Sequence, residues 1–269
     1  MATAGRFMPK SRWKSWARVS SKNRIEIGDW RLRLVNLYSP ISNPKLYKLL
    51  LDDDSGLFAL KESCLINALI FDVGGVLVRT MDRTHRNGLE QRLGLQPGES
   101  EFIVFNSEMG TLAQQGAITT PALWAWVQQH LRLDDTALLS FQQDFWGGDR
   151  LDTALIDLIR QLKRRYQTAI ISNANDSLHD TLTTLYPMAD AFDLIVGSAY
   201  EKVMKPDPII FERTLARLGR KAAETVFIDD FAHNIAGAQA VGMQTIHFTP
   251  QTDLMAELAK LGVTIKSNT

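Results

Sequence analysis

The chain reads Leu-Ile-Phe-Asp-Val-Gly-Gly over residues 69–75, an apolar run that stops at a carboxylate followed by two glycines. Two later segments have the same form, Ile-Ile-Ser-Asn at 170–173 and Phe-Ile-Asp-Asp at 227–230. Short apolar runs that end at turn residues are typical of buried strands. Each segment therefore predicts a strand whose carboxyl end carries a polar side chain.

These strand ends are expected to lie side by side, because ligands bind outside the carboxyl ends of the strands in an open parallel sheet. The segment Met-Lys-Pro-Asp at 204–207 adds a lysine to the set. A carboxylate, a hydroxyl, a lysine and an acidic pair in one crevice are groups that phosphoryl transfer or hydrolysis needs. The four segments together indicate an enzyme of that type.

The chain from residue 149 onward alternates between helix-like and strand-like segments, which predicts βαβ units and a parallel sheet. The predicted helices cover 151–165, 177–185, 207–218 and 234–241. The predicted strands cover 67–71, 168–172, 194–197, 225–228 and 245–248. Residues 82–148 have a helical pattern and follow the first strand, where a lid would cover the sheet's carboxyl edge. We predict an α/β protein: a Rossmann-like parallel sheet with helices on both faces and an inserted helical cap domain.

The distribution of charge marks a boundary near residue 65. The formal net charge is zero, but residues 1–64 hold 12 Lys or Arg against 6 Asp or Glu, and the remaining residues hold 18 against 24. We expect residues 1–64 to be a basic, poorly ordered extension. The core domain is then assigned to 65–81 and 149–269, and the cap domain to 82–148.

The first 25 residues contain seven basic groups, four serines and no acid. Such openings resemble transit peptides and also basic arms that touch nucleic acid or anionic membrane. The single cysteine, Cys64, excludes an intrachain disulfide and fits a reducing compartment. No stretch approaches the ~18 consecutive apolar residues of a membrane span. We predict a cytoplasmic protein, with organelle import as the alternative if residues 1–25 act as a transit peptide.

Each polar strand end has a chemical interpretation and a plainer one. Asp72 at a glycine turn can attack phosphorus, and Gly74 and Gly75 can present backbone N–H groups to an anion. Ser172 and Asn173 can donate hydrogen bonds to a phosphate oxygen. Taken singly, Asp72 and the Ser-Asn pair would more often be helix caps.

The later polar residues have the same two interpretations. Lys205 can neutralise a nucleophile and the developing phosphoryl charge. Asp229 and Asp230 offer the hard oxygen ligands that Mg²⁺ prefers. Taken singly, the lysine is consistent with a solvated loop and the acidic pair with an ordinary surface. No alternation of basic and aromatic residues is visible in 65–269, so we expect the core to bind no nucleic acid.

Residues 66–249 resemble the haloacid dehalogenase (HAD) superfamily of hydrolases. The most specific segments are Lys-Pro-Asp-Pro-Ile-Ile-Phe at 205–211, Phe-Ile-Asp-Asp-Phe-Ala-His-Asn-Ile-Ala-Gly-Ala at 227–238, and Gly-Met at 242–243. The resemblance implies a Mg²⁺-dependent phosphatase that acts on a small phosphorylated metabolite, with sugar phosphates as one candidate class. It also implies that the segment 82–148 closes the site and selects the substrate.

The resemblance also implies roles for single residues. Asp72 matches the nucleophile that forms a phosphoaspartate, and Lys205 matches the lysine that orients nucleophile and phosphate. Ser172 matches the phosphate-binding hydroxyl residue, with Asn173 beside it.

For the metal, the resemblance implies Asp230 as the main acidic ligand, with Asp229 alongside or in its support. Asp72 and the backbone carbonyl of Gly74 complete the implied set.

One position departs from the family pattern. Phosphatases of the family usually carry a second Asp two residues after the nucleophile as general acid and base, and this chain has Gly74 there. Loss of such a group typically costs roughly 10²–10⁴-fold in rate. Sugar-phosphatase-like branches resemble this chain in having Gly, and an anomeric phosphate needs less protonation when it leaves.

Two alternatives therefore stay open beside the phosphatase. A 2-haloacid dehalogenase-like hydrolase would use the same carboxylate without metal, although such enzymes typically have Ser-rich sequence in place of Asp229-Asp230. A catalytically weak binding or regulatory member would use the basic extension to contact its partner.

Overall fold

The computed structural model describes residues 65–265 and, before them, three short strands. The latter are β1 (Arg18–Ser20), β2 (Arg24–Ile27) and β3 (Trp30–Arg33), which form an antiparallel sheet in that order. The chain divides into two compact units, Met1–Glu62 and Ser63–Thr269. The predictions of a poorly ordered extension over 1–64 and of a transit peptide over 1–25 fall mostly outside the described residues, and both stay predictions.

The second unit contains seven strands and eleven helices of α type within its described part. The strands are β4 (Ala68–Phe71), β5 (Val78–Thr80), β6 (Asp149–Leu151), β7 (Gln167–Ser172), β8 (Leu194–Gly197), β9 (Thr225–Asp229) and β10 (Gln244–His247). The helices are α1 (Thr84–Leu93), α2 (Glu99–Glu101), α3 (Glu108–Gln114), α4 (Thr120–His130), α5 (Asp135–Trp146), α6 (Thr153–Leu162), α7 (Leu178–Asp180), α8 (Ser198–Glu201), α9 (Pro208–Leu218), α10 (Ala232–Ala240) and α11 (Leu254–Lys260). Within these described ranges, no helix is long and apolar enough to cross a membrane.

Five of the strands form a parallel sheet in the order β10-β9-β4-β7-β8. All four residues of the central strand β4 are buried. Since consecutive side chains of a strand point to opposite sides, both faces of β4 must be covered. Leu69 and Phe71 pack with residues of α6 and α11, whereas Ala68 and Ile70 pack with residues of α9 and α10. Helices therefore cover both faces of the sheet, and the predicted α/β fold is confirmed.

The predicted helix over 151–165 is too long at both ends. It spans Thr153–Leu162, because Asp152 caps it by accepting a hydrogen bond from the Leu155 backbone N–H at 3.0 Å. Leu151 lies instead in β6, opposite Val78 of β5. This antiparallel pair of strands has no period-2 apolar pattern, so the sequence analysis missed it.

Four longer helices, α1, α3, α4 and α5, lie between β5 and β6 in the chain. They enclose an apolar cluster of their own that includes Leu89, Leu123, Val127, Phe141 and Phe145. These helices lie in the segment that the sequence analysis assigns to the cap, and we refer to 82–148 as the cap. The division into domains at these residues stays a prediction.

A buried arginine joins the cap helices to the two connecting strands. Arg86 of α1 is 3% exposed and donates from Nε and Nη2 to the Phe145 carbonyl, at 2.9 and 2.7 Å. Its Nη2 lies 3.2 Å from Asp149 Oδ1, and the same carboxylate oxygen accepts a hydrogen bond from the Thr80 hydroxyl at 2.6 Å. Glu101 is a second acidic partner of Arg86.

We expect Arg86→Leu to lower the free energy of unfolding by about 3–5 kcal/mol, because it leaves buried Asp149 without its cation. Arg92→Leu removes a guanidinium that pairs with Asp144 but is 56% exposed, so it should cost less than about 1 kcal/mol. Urea denaturation of both variants measures the difference. Equal losses would show that the burial of Arg86 does not matter.

Candidate active site

The loop after β4 holds the predicted nucleophile at the centre of the sheet edge. The Asp72 backbone N–H donates to the Ile228 carbonyl at 2.9 Å, which continues the pairing of β4 with β9. The Gly75 N–H donates to the Val78 carbonyl at 2.9 Å and closes the turn. The Asp72 side chain is thereby fixed at the carboxyl end of the central strand, as predicted.

The two glycines of this turn differ in what surrounds them. Gly75 has φ +77°, and a Cβ there would overlap the Asp230 carboxylate. Gly74 lacks the left-handed conformation, and a Cβ there would meet no atom of the described residues within 4 Å. Glycine is thus required by geometry at 75, where backbone and carboxylate approach closely, but not at 74.

A single ammonium group lies between two buried carboxylates. Lys205 Nζ lies 2.7 Å from Asp72 Oδ1 and 2.6 Å from Asp229 Oδ2. The three residues are 3%, 6% and 0% exposed, respectively. The structure thus brings together residues from three separate segments that were selected from the sequence.

Asp229 is held by further donors from the start of α10. Its carboxylate accepts a hydrogen bond from the Phe231 N–H at 2.8 Å and one to each oxygen from Asn234 Nδ2 at 3.1 Å. The Phe231 and Asn234 donors thus fix the orientation in which the Asp229 carboxylate contacts Lys205. The sequence analysis did not identify Asn234, although a polar residue at a buried position of α10 is a usable signal.

The end of β7 contributes Ser172 and Asn173. Ser172 is the last residue of β7 and is 5% exposed. The Asn173 side chain accepts from the Lys205 N–H at 2.8 Å and donates to the Lys205 carbonyl at 2.9 Å. Its amide therefore fixes the lysine loop, which the sequence analysis did not foresee.

The acidic groups have the arrangement of a cation site. Asp72, Asp229 and Asp230 each offer one carboxylate oxygen, and these oxygens lie within 4.8 Å of one another. Asp230 Oδ1 is buried and has no hydrogen-bond partner within the described part of the chain. Three carboxylates face one ammonium, so a divalent cation would balance the charge. Oxygen ligands of this kind suit Mg²⁺.

The electrostatics of the carboxyl groups agree with this deficit of positive charge. Burial raises the pKa of Asp72 to about 6, and the negative charge of Asp229 adds to the rise, while Lys205 opposes it. Burial and then the charge of Asp229 also raise the pKa of Asp230 above its ordinary value. Both shifts follow from placing like charges in a desolvated site.

Comparison with known proteins gives consistent matches. A family model described as haloacid dehalogenase-like hydrolase matches residues 66–242. The chain is 30% identical over 196 residues to the sesquiterpene phosphatase astK of Aspergillus oryzae, covering 72% of this chain and 95% of the relative. It is 25% identical over 215 residues to (S)-2-haloacid dehalogenase 1 of a Pseudomonas species, covering 73% and 95%.

The fold is also similar to that of solved structures. One is the magnesium complex of a HAD family enzyme from Bacteroides thetaiotaomicron, with a TM-score of 0.61, 24% sequence identity and coverage of 72% of this chain and 98% of the other. At that identity the similarity concerns the fold. The parallel sheet and its flanking helices are thus an arrangement known from enzymes.

Proposed function

The chain belongs to the haloacid dehalogenase-like hydrolases, and we propose that it is a Mg²⁺-dependent phosphatase of a small phosphorylated metabolite. The observation that carries the proposal is the Lys205 ammonium between the Asp72 and Asp229 carboxylates, with Asp230 beside them. This arrangement supplies a nucleophile, a cation for the phosphoryl group and an acidic metal site. The similarity to a relative named as a phosphatase supports the same proposal.

In the proposed mechanism, a carboxylate oxygen of Asp72 attacks phosphorus, and the bond from phosphorus to the ester oxygen breaks. Lys205 holds Asp72 Oδ1 and offers positive charge to the phosphoryl oxygens, while the Ser172 hydroxyl donates to one of them. Water then attacks phosphorus in the phosphoaspartate, which releases phosphate and restores Asp72. The Gly74 backbone N–H is a further donor that we propose for the phosphate, whereas the Gly75 N–H, which the sequence analysis also proposed, is already bonded to the Val78 carbonyl.

Asp72, Asp230 and the Gly74 carbonyl would hold Mg²⁺, with Asp229 alongside. The bound ion supplies charge neutralisation at the transferring phosphoryl group. We propose that Asp229 chiefly positions the lysine, a role that its contacts with Lys205 and Asn234 support.

We infer the substrate class from a proton donor that the site lacks at position 74. Gly74 provides no proton for the departing ester oxygen, so we propose that the best substrates have good leaving groups, as anomeric sugar phosphates do. The relative from Aspergillus is named a sesquiterpene phosphatase, so we add sesquiterpene phosphates as a second group to assay.

One observation favours a dehalogenase as the second candidate. A carboxylate nucleophile without a neighbouring acid, as at Asp72 and Gly74, also suits displacement of halide from carbon, and one relative is named as a dehalogenase. The buried acidic pair favours the phosphatase, because halide displacement needs no metal.

The first test is phosphate release from a panel of phosphate esters, with Mg²⁺ and with EDTA. We expect Mg²⁺-dependent release that Asp72→Asn lowers by roughly 10³-fold or more, because the nucleophile is lost. Asp180→Asn, in a carboxylate that is 90% exposed, should leave the rate unchanged. Metal-independent halide release from 2-haloacids would indicate the dehalogenase. A folded protein with neither activity would indicate a binding or regulatory role.

The second test concerns metal binding and pH. The folded protein keeps a proton on Asp72 up to about pH 6, whereas the unfolded chain releases it near the ordinary value, so the metal-free protein loses stability as pH rises through this interval. Mg²⁺ must displace this proton at pH 5 but not at pH 7.5. We expect Mg²⁺ to raise the Tm more at pH 7.5, and Asp230→Asn to reduce the rise. An equal rise at both pH values would contradict this metal site.

The third test restores the missing acid. Gly74→Asp fits the open space at this position, and we expect it to raise kcat on alkyl phosphates by roughly 10²-fold but to change kcat on p-nitrophenyl phosphate little. Gly74→Asn has the same shape without the proton and should raise neither rate. Equal effects of the two substitutions would contradict a role in leaving-group protonation.

A further inference from the structure

The cap contacts the core at a second place, away from the connecting strands β5 and β6. The Thr120 backbone N–H donates to Asp176 Oδ1 at 2.9 Å, and the Thr120 hydroxyl donates to the same oxygen. The Ser198 hydroxyl donates to the Gln114 carbonyl at 2.6 Å. We call this contact the cap latch, and its members are Gln114, Gly116 and Thr120 from the cap and Asp176, Ser198 and Lys202 from the core.

The approach of the two sides is close enough to require glycine. Gly116 has φ +63°, and a Cβ there would overlap the Ala199 carbonyl oxygen and the Lys202 ammonium. The Lys202 ammonium donates to the Gly116 carbonyl. On the cap side, the contact with α8 and Lys202 is therefore made by the backbone of the loop at Gly116.

The core side of the latch is bonded to the loops that carry the proposed catalytic groups. Ser198 is fully buried, and its Oγ accepts a hydrogen bond from the Ala174 N–H at 3.0 Å. The Ala199 N–H donates to the Ala174 carbonyl at 3.2 Å. Ala174 follows Ser172 and Asn173, and the Asn173 amide holds the Lys205 backbone.

The Ser198 hydroxyl has one proton and two acceptors within reach. The Gln114 carbonyl of the cap lies at 2.6 Å, and the Ala174 carbonyl of the core lies at 3.2 Å. We assign the proton to the Gln114 carbonyl while the latch is closed, because that acceptor is nearer. If the cap withdraws, the Gln114 carbonyl is lost as an acceptor and the Ala174 carbonyl remains. The Ser198 hydroxyl would then donate to Ala174, which adds a hydrogen bond to the loop that carries Ser172.

We propose that Ser198 is a positioning residue that sets the loop 172–174 according to whether the cap latch is closed. This inference rests on the proposed function, because it assigns to that loop the binding of the phosphate. The consequence is that Ser172 and Lys205 are aligned for catalysis only when the cap covers the site. While the cap is open and water has access, Ser172 and Lys205 are not aligned for catalysis.

The test opens the latch from the cap side with Gly116→Ala. The matched control is Gly94→Ala, because Gly94 is also a cap glycine with positive φ, +69°, but a Cβ there meets nothing within 4 Å. Amide hydrogen exchange without substrate is measured on peptides covering 112–120 and 172–175. We expect Gly116→Ala to speed exchange in both and Gly94→Ala to speed it in neither.

Ser198→Ala supplies the second arm. In that background, Gly116→Ala should still speed exchange over 112–120 but should no longer change it over 172–175, because the coupling hydroxyl is gone. We expect kcat/KM for the best phosphate ester to fall about tenfold in Gly116→Ala, the effect of one hydrogen bond. Faster exchange confined to 112–120 in Gly116→Ala would overturn the proposal.

Two further measurements keep the outcome decisive. If Gly116→Ala fails to fold, Asp176→Ala opens the latch from an exposed position, with Asp180→Ala as its control, and the peptide covering 203–206 is the readout. Unchanged exchange there in Asp176→Ala would overturn the coupling. Failure of the wild-type protein to release phosphate would count against the proposed function alone, since the exchange experiments need no substrate.

Discussion

The structure of the site depends on one ammonium group that pairs with two buried carboxylates. Lys205 lies between Asp72 and Asp229, and neither carboxylate is exposed enough for water to replace the lysine. Burying charged groups is costly unless each is paired and hydrogen-bonded, so the surrounding fold must hold the partners in place. The paired strands β4 and β9 position the two carboxylates, and the Asn173 amide positions the backbone of Lys205.

The same arrangement leaves an excess of negative charge at the edge of the sheet. Burial first, and then the negative charge of Asp229, raises the pKa of both Asp72 and Asp230 above its ordinary value. Such a site is less stable than an apolar core of the same volume would be, but it is preorganised for a charged transition state. The apolar side chains on both faces of β4 supply the stability that the site itself does not.

Much of this site was predictable because most of its acidic and hydroxyl groups terminate an apolar run. Asp72, Ser172 and Asp229 are visible in the sequence for that reason, and the parallel topology then places them together. The strands β5 and β6 were not predictable, since they are three residues long and lack an apolar alternation. The contacts of Asn173 with Lys205 and of Gln114 with Ser198 join residues 32 and 84 positions apart, and no local pattern encodes either pairing.

The hydrogen bonds between Asn173 and Lys205 have a consequence for how the chain can vary. The Asn173 side chain binds the backbone of position 205, so these two bonds do not depend on which side chain is present there. Position 173, in contrast, needs one acceptor and one donor at fixed places, which among similar residues only asparagine supplies at that length. Random mutagenesis should therefore find position 173 intolerant because of the shape of the lysine loop, whereas position 205 is constrained by the pairing of its ammonium with Asp72 and Asp229. The residue that determines the shape of the lysine loop, Asn173, therefore lies 32 positions before Lys205 in the sequence.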